Sequence, residues 1–240
     1  MVQTLQERRD QEQARPFFFQ QTGNPAGSRQ MSLQALAVAR QRHAASFAYF
    51  DKGVHMTRPL SFKKLPRWFF RRPATELARA LIGKILVRQF HTKEFQARVV
   101  ETEAYLGPED LASHASKGRT RRTEVLFGPA GRAYVYLIYG MYEMLNVVAG
   151  SVGDAHAVLI RAAEPLNGWQ ADLSGPGRLT RAFQITRSEY GLDLTGDQLY
   201  FLEDPAHRAQ VVTAKRVGID YAKEWKDAPL RFLDADQLGA

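Results

Sequence analysis

The stretch that decides the fold runs from Val99 to Val148 and reads VVETEAYLGPEDLASHASKGRTRRTEVLFGPAGRAYVYLIYGMYEMLNVV. It combines closely spaced glutamates, five tyrosines, one histidine and four arginines with several glycine turns. A purely structural core has little use for carboxylates inside a strand-like run, because burying them is costly. The rest of the chain is therefore expected to hold this segment against a ligand.

Composition restricts the classes to which the protein can belong. Its 240 residues, 45% of them hydrophobic, suffice for one large domain or two small ones. No apolar run approaches the roughly 18 residues of a membrane span, and the polar N-terminus lacks the pattern of a secretory signal. The absence of cysteine excludes disulfides, thiolate metal sites and a cysteine nucleophile, and it favours a cytoplasmic location.

Basic residues outnumber acidic residues by 33 to 25, and they are clustered. The net charge of +8 favours a polyanionic partner such as a nucleic acid or an anionic membrane surface. Between Met56 and Pro73 the chain has six basic residues, no acid and several aromatic residues. A second cluster lies in the opening stretch and contains Lys117, Arg119, Arg121 and Arg122. For either cluster, an ordinary solvated surface remains an alternative.

The chain divides into two parts that differ in composition and pattern. Residues 1–55 are predicted to be an N-terminal extension, a tail rich in Gln, Arg and Gly followed by a helix from Ser32 to Phe47. Residues 56–240 are predicted to form the main domain. There, residues 73–83 read as a helix, with Pro73 at its start and Gly83 after its end.

Short strand-like runs then dominate the sequence. A hairpin is predicted over 84–105, further strands over 131–140, 145–150, 156–165, 198–204 and 211–219, and a helix after the turn at 174–177. The C-terminal segment 220–233 is expected to pack back onto the domain. Short connections between many strands predict a single α+β domain with a curved, largely antiparallel sheet and flanking helices.

The alternation of residues along a strand separates the two glutamates from their neighbours. Glu101, Glu103 and Tyr105 are expected on one face and Val100, Thr102 and Ala104 on the other. One glutamate is expected at a solvent edge, while the other, nearer the strand end, faces a cleft. A carboxylate there could activate a water, stabilise a cationic transition state or bind a metal. Spacing alone leaves an ordinary surface or ion-paired glutamate open.

Two further polar sites are weaker candidates. His114 lies on a loop, and since no second histidine stands at ligand spacing, no metal site is predicted. A structural role for this histidine remains open. Ser174 and Gly175 precede a helix whose free N–H groups could hold a phosphate.

The tyrosine-rich run predicts aromatic contacts with bases. Tyr139 stands immediately before Gly140, so it is placed to project from a turn as a wedge between base pairs. Tyr105 and Tyr136 could sandwich a flat base. Asn146 opens the next strand and could read a base edge or satisfy a turn. An aromatic-rich buried strand is the alternative for this run.

A family resemblance rests on longer motifs. The chain carries, in this order, VETEAYLGPED, LFGPAGRAYVYLIYGMY, LN, LIRAAEPL, SGPGRLTRAF and RVGIDYAKEW. These segments resemble those of the alkyladenine DNA glycosylase family, the alkylpurine type of 3-methyladenine DNA glycosylase. The resemblance runs from about Phe69 to Phe232, about two thirds of the chain. The loop GRTRRTEV departs from the family pattern at Arg121, where proline is expected.

The resemblance implies a function for the domain. It implies a monofunctional hydrolase that flips alkylated or deaminated purines, such as 3-methyladenine or hypoxanthine, out of double-stranded DNA and cleaves the N-glycosidic bond to start base-excision repair. It implies no metal and no cofactor, and the enzyme is expected to be a monomer at the nucleoid without a membrane partner. A DNA-binding lesion-recognition module without catalysis and an unrelated RNA-binding protein are the alternatives.

The resemblance also assigns roles residue by residue. Glu103 resembles the carboxylate that activates water, and Tyr139 resembles the intercalating tyrosine. The residues that resemble the base pocket are Tyr105, His114, Tyr136, Asn146 and Arg161. At the DNA backbone, the resemblance assigns Arg119. The basic cluster adds Arg121 and Arg122 as expected backbone contacts, and the turn before the predicted helix adds Ser174 and Gly175.

Overall fold

The computed structural model describes residues 62–238, so the predicted extension 1–55 and its predicted helix lie outside the described residues. The helices of this range are α1 (Arg67–Phe70), α2 (Ala74–Leu81) and α3 (Pro176–Ala182). The strands are β1 (Ile85–Phe90), β2 (Lys93–Tyr105), β3 (Ala133–Ile138), β4 (Tyr142–Ala149), β5 (His156–Pro165), β6 (Leu199–Leu202), β7 (Val211–Ala214) and β8 (Arg231–Asp234). Short 3-10 helices, including His114–Lys117 and Lys223–Asp227, occur in the connections.

The strands form one curled sheet in the order β3-β4-β5-β2-β1-β6, with β8 beside β2 and β7 beside β8. The pairs between named strands are all antiparallel. The long strand β2 organises the sheet: β5 lies along one edge, while β1 and then β8 share the other. The prediction of one α+β domain with a curved, largely antiparallel sheet is confirmed.

A bulge in β2 sets the direction of the two glutamates. The register with β5 shifts between Val99 and Glu101 and again between Glu101 and Thr102. Val99 packs in the main core before the bulge, and Ala104 packs there after it. The Thr102 hydroxyl donates to a backbone carbonyl of α2 on the same side. Glu101 is thereby directed, with Glu103, to the opposite face of the sheet.

The core lies between this sheet and the helices. Apolar side chains of α2 and α3 pack against β2, β4 and β5, and Phe70, Phe183 and Phe201 are fully buried among them. Helix α2 begins after Pro73 and ends before Gly83, whose positive φ of 82° suits glycine, so the predicted helix is confirmed. Within residues 62–238, no helix is long and apolar enough to cross a bilayer.

Two predicted elements near the C-terminus differ from the structure. The strand predicted over 211–219 ends at Ala214, and residues 215–222 form a loop. The segment predicted to pack back does so as β8, whose Arg231 to Leu233 pair with Glu103 to Glu101 of β2. Both differences matter for function, because the loop and β8 flank the two glutamates.

Candidate active site

A cavity of about 130 Å³ opens where the ends of several elements meet. Strand β2, the turn at His114, the β3–β4 hairpin, strand β5 and the 215–222 loop each contribute to its walls. The six residues predicted for catalysis and the base pocket all line this cavity, namely Glu103, Tyr105, His114, Tyr136, Asn146 and Arg161. Residues that are up to 58 positions apart in the chain (161 − 103) therefore converge on one site.

Glu103 is the most tightly held polar group in the cavity. Its side chain is fully buried, with an exposed fraction of 0%, and its carboxylate has three polar partners in the protein. Oε2 accepts a hydrogen bond from the Tyr105 hydroxyl at 2.9 Å, and Oε1 accepts one from the Val217 N–H at 2.9 Å. Nη1 of Arg161 lies 3.3 Å from Oε1. A buried carboxylate with this support is fixed in orientation and compensated in charge.

Burial raises the pKa of the Glu103 carboxyl above its ordinary value, although Arg161, the Val217 N–H and the Tyr105 hydroxyl oppose that rise. The pKa of Arg161 is raised, because the attraction of Glu103 and Glu101 outweighs the opposing effect of its burial. The two shifts describe one coupled pair. The carboxylate is thus a stronger base than an exposed glutamate while its ionised form retains a cation beside it.

Glu101 does not lie at a solvent edge, so that expectation is wrong. Its side chain is mostly buried, and Oε1 accepts from Arg161 Nε at 2.9 Å and from Arg231 Nη1 at 3.0 Å. Arg161 therefore bridges both glutamates. The reason for the difference is β8, which covers this edge of β2 and brings Arg231 to the carboxylate.

Tyr105 rests on a buried ion pair. The two terminal nitrogens of Arg216, Nη1 and Nη2, donate to Asp110 at 2.5 and 2.9 Å, and both side chains are fully buried. The guanidinium carbon lies 4.8 Å from the centroid of the Tyr105 ring. Asp110 also accepts from the N–H groups of Leu106 and Ala112. This network fixes the ring next to Glu103.

Three aromatic side chains form a second wall. His114 Nδ1 is hydrogen-bonded to the Tyr134 hydroxyl at 2.8 Å, and its ring meets that of Tyr136 edge-on at 4.5 Å between centroids. Burial, with a smaller contribution from the cation of Arg122, lowers the pKa of His114 to about 4. At neutral pH this wall is therefore aromatic and uncharged.

Asn146 closes the cavity from β4. Its side chain is buried, and Nδ2 donates to the backbone carbonyls of Tyr134 and Met144 at 3.2 and 3.3 Å. The two bonds fix the plane of the amide. Its predicted role in reading a base stays a prediction.

Tyr139 projects from the tip of the β3–β4 hairpin. It has an exposed fraction of 80% and a φ of 52°, and Gly140 follows with a φ of 71°. The Met141 N–H donates to the Ile138 carbonyl, which closes a two-residue turn with both central residues at positive φ. A positive φ is unusual for a bulky residue. Here the turn imposes it on Tyr139 and leaves the ring exposed.

The arginines predicted at the DNA backbone lie on the surface, and two of them, Arg121 and Arg122, line a groove that shares Tyr136 with the cavity. Arg119, Arg121 and Arg122 are exposed and form no ion pair with another residue of the 62–238 segment. The Arg122 guanidinium lies 5.2 Å from the centroid of the Tyr136 ring. These cations are available to an anionic ligand near the cavity, and their backbone contacts stay a prediction.

Ser174 and Gly175 lie before α3, whose first residue Pro176 lines the cavity. The Ser174 N–H and hydroxyl both donate to Asp172 Oδ1, at 3.0 and 2.6 Å. Asp172 thus already uses both donors of Ser174. Their predicted contact with the DNA backbone is untested. Among the described residues, no group of three or more His, Cys, Asp or Glu side chains is arranged to hold a metal ion.

Sequence reasoning missed several residues that complete the site. Val217 contributes a backbone N–H, and such a donor cannot be predicted from a pattern of side chains. Arg231 and Arg216 reach the site from 130 and 106 positions beyond their carboxylate partners. Tyr134 is missing from the predicted pocket, although the alternation that places it on the same strand face as Tyr136 could have predicted its position in the wall.

Comparison with known proteins decides the family. The family model for methylpurine-DNA glycosylase matches residues 68–238, most of the chain and all of the cavity. The chain belongs to the methylpurine-DNA glycosylase family. It is accordingly an enzyme, a hydrolase of the 3-methyladenine DNA glycosylase type that acts on an N-glycosidic bond.

Curated relatives agree with this family. A protein of Anaeromyxobacter sp. (strain Fw109-5) is 51% identical over 170 residues, which cover 70% of this chain and 88% of the relative. A protein of Legionella pneumophila (strain Lens) is 48% identical over 175 residues, which cover 72% of this chain and 96% of the relative. A protein of Methanocella arvoryzae is 46% identical over 183 residues, which cover 71% of this chain and 92% of the relative. Each of the three is named, provisionally, as a 3-methyladenine DNA glycosylase.

Proposed function

We propose that this glycosylase flips alkylated or deaminated purines out of double-stranded DNA into the cavity and hydrolyses their N-glycosidic bond as the first step of base-excision repair. The observation that carries the proposal is Glu103, a fully buried carboxylate held by three donors at the wall of an aromatic cavity. A damaged base inside a duplex is out of reach of such a group, so it has to leave the stack.

Glu103 is proposed to activate the attacking water. Loss of a purine develops positive charge at the sugar, and a nearby carboxylate both stabilises that charge and accepts the proton of the water. The raised pKa of Glu103 makes it a better proton acceptor, while the cation of Arg161 opposes that rise and favours the ionised carboxylate. The residues that line the cavity include no lysine, which fits a hydrolase without a Schiff-base step.

The aromatic residues are proposed to hold the base and replace it in the stack. The rings of Tyr105, His114 and Tyr136 offer flat faces and edges to a purine. Tyr139, on the hairpin tip, fills the gap that the flipped nucleotide leaves. Asn146 and Arg161 complete the pocket.

The exposed arginines beside the cavity are proposed to contact the phosphates. Arg119, Arg121 and Arg122, with a net charge of +8 over the chain, support binding to duplex DNA that weakens strongly with salt. The enzyme is proposed to act as a monomer on DNA of the cytoplasmic nucleoid. Size-exclusion chromatography with light scattering and cell fractionation test these two points.

The experiment that tests the proposal is an excision assay on labelled duplexes. Each duplex holds 3-methyladenine, 7-methylguanine, hypoxanthine or ethenoadenine, and alkali then cleaves any abasic site. Strand breaks at the lesion, with free base released, are the expected result. Tight binding without breaks on any of the four duplexes would instead establish a lesion-recognition module without catalysis. Equal competition by single-stranded RNA would favour an RNA-binding protein.

A further inference from the structure

An aromatic residue without an assigned role lies at the mouth of the cavity. Tyr221 lines the cavity, yet 69% of its surface is exposed, so its ring lies at the rim. It belongs to the 215–222 loop that follows β7, and not to the hairpin that carries Tyr139. The same loop provides the Val217 N–H to Glu103.

The loop that carries Tyr221 is firmly anchored on both sides of the ring. Arg216 is fixed before it by the buried ion pair and by a hydrogen bond of 2.9 Å to the Ala104 carbonyl. Ile219 and Ala222, which flank Tyr221, are buried in a small apolar cluster, and the Ala222 N–H donates to the Ile219 carbonyl. A side chain exposed between two buried anchors is held outward, at little further cost in conformational entropy.

The loop that carries Tyr221 and the hairpin that carries Tyr139 both border the cavity. Partial burial raises the pKa of the Tyr221 hydroxyl; the cation of Arg216 opposes that rise, and Asp110 and Tyr139 add to it. Ile138, which directly precedes Tyr139 in the hairpin, lines the same cavity as Tyr221. Covering exposed aromatic rings with an apolar surface is favourable, and the faces of unstacked bases and deoxyribose offer that surface.

The charge directly next to Tyr221 in the chain is acidic, and the nearest cation that follows, Lys223, is two residues away. Asp220, immediately before Tyr221, is exposed and would repel a phosphate. The ring is therefore suited to a base or sugar face, not to the backbone anion. We propose that Tyr221 is a second DNA-contacting residue, whose ring packs against the nucleotide next to the flipped one and acts together with the Tyr139 wedge. This inference rests on the proposed function.

The test compares Tyr221→Ala and Tyr221→Phe with the wild-type protein. The Kd is measured for a duplex with a stable abasic analogue, at several salt concentrations. Loss of the ring is expected to weaken binding about tenfold, as for a lost base stack, while the phenylalanine variant stays within about twofold. The slope of log Kd against log salt is expected to stay unchanged, since no phosphate contact is lost. Val152→Ala, at an exposed apolar residue that lines none of the described cavities, is the matched control.

Three results would overturn the inference. Wild-type affinity in Tyr221→Ala would show that the Tyr221 ring does not contact the DNA. Equal weakening in both Tyr221 variants, with a shallower salt slope, would show a hydroxyl–phosphate contact instead. Equal weakening in Val152→Ala would show a nonspecific effect. A wild-type protein that binds the analogue but excises no lesion contradicts the proposed catalysis and leaves the Tyr221 contact standing, so the two failures are distinguishable.

Discussion

The replacement of Glu103 by glutamine isolates the charge of the proposed base from its shape. The amide of the Glu103→Gln variant keeps the size of the side chain, and its carbonyl can still accept from the Val217 N–H, as Oε1 does at 2.9 Å. Arg161 retains Glu101 as a partner at 2.9 Å, so the substitution leaves no cation without a counter-charge. The fold and the walls of the cavity are therefore expected to persist in this variant.

The expected loss is in catalysis. An amide cannot take a proton from water, and removal of a positioned general base costs about 10²- to 10⁴-fold in rate. The variant also lacks the negative charge that stabilises the developing cation of the sugar, which places the expected loss toward the upper end of that range. Binding of damaged duplex is expected to change by less than about threefold, because no group of the rim or the aromatic walls is altered.

The assay is single-turnover excision of 3-methyladenine with enzyme in excess, combined with a Kd measured on the same duplex. Glu101→Gln is the matched control, since Glu101 shares Arg161 but does not line the cavity. The control is expected to retain most of the rate. Glu103→Gln with a rate within about tenfold of the wild type, or an equal loss in both variants, would refute the assignment of Glu103 as the base.

Three further variants test other parts of the site. Arg161→Met removes a cation that lowers the pKa of Glu103, so the acid limb of the excision rate, where the ionised carboxylate is lost as pH falls, is expected to move to higher pH in a pH–rate profile. Tyr139→Ser removes the wedge, and its affinity for a duplex with an abasic analogue is expected to fall about tenfold in a fluorescence titration. Asp110→Asn leaves the buried Arg216 cation without its counter-charge, which is expected to cost about 3 to 5 kcal/mol in the free energy of unfolding by urea.

Each of these expectations has a contrary outcome. An acid limb that stays in place in Arg161→Met would show that this cation does not act on the catalytic ionisation. Unchanged affinity in Tyr139→Ser would show that Tyr139 does not act as a wedge. A loss below about 1 kcal/mol in Asp110→Asn would show that water or another acceptor compensates the guanidinium.

Features that depend on local sequence could be predicted. Helix α2 follows from the proline and glycine that bound it, and the β3–β4 turn follows from the glycine beside Tyr139. Alternation placed Glu103 and Tyr105 on one face, where their side chains are hydrogen-bonded. The motif resemblance, and not spacing, selected Glu103 over Glu101 as the base.

Features that depend on distant pairing could not be predicted. The bulge in β2 is a mismatch with β5 and has no signal within β2 itself. The burial of Glu101 depends on β8, which lies 130 residues away and was not recognised as a strand. Residues 215–219 read as the end of a strand because of Val217 and Ile219. They form a loop instead, which is held by the ion pair of Arg216 with Asp110, a partner far away in sequence.

The charges of the cavity bear on which lesions it suits. The Glu103 carboxylate in the cavity and the Glu101 carboxylate behind it are matched by the guanidiniums of Arg161 and Arg231. The aromatic wall adds no charge because the pKa of His114 is lowered to about 4. Burial raises the pKa of Tyr134 to about 12, so its hydroxyl is a poor proton donor to a leaving base. The described walls thus offer electron-rich faces but no ready acid. A purine that carries its own positive charge needs no protonation to leave and binds well over such faces. We therefore propose that cationic alkylpurines suit this cavity better than neutral hypoxanthine or ethenoadenine.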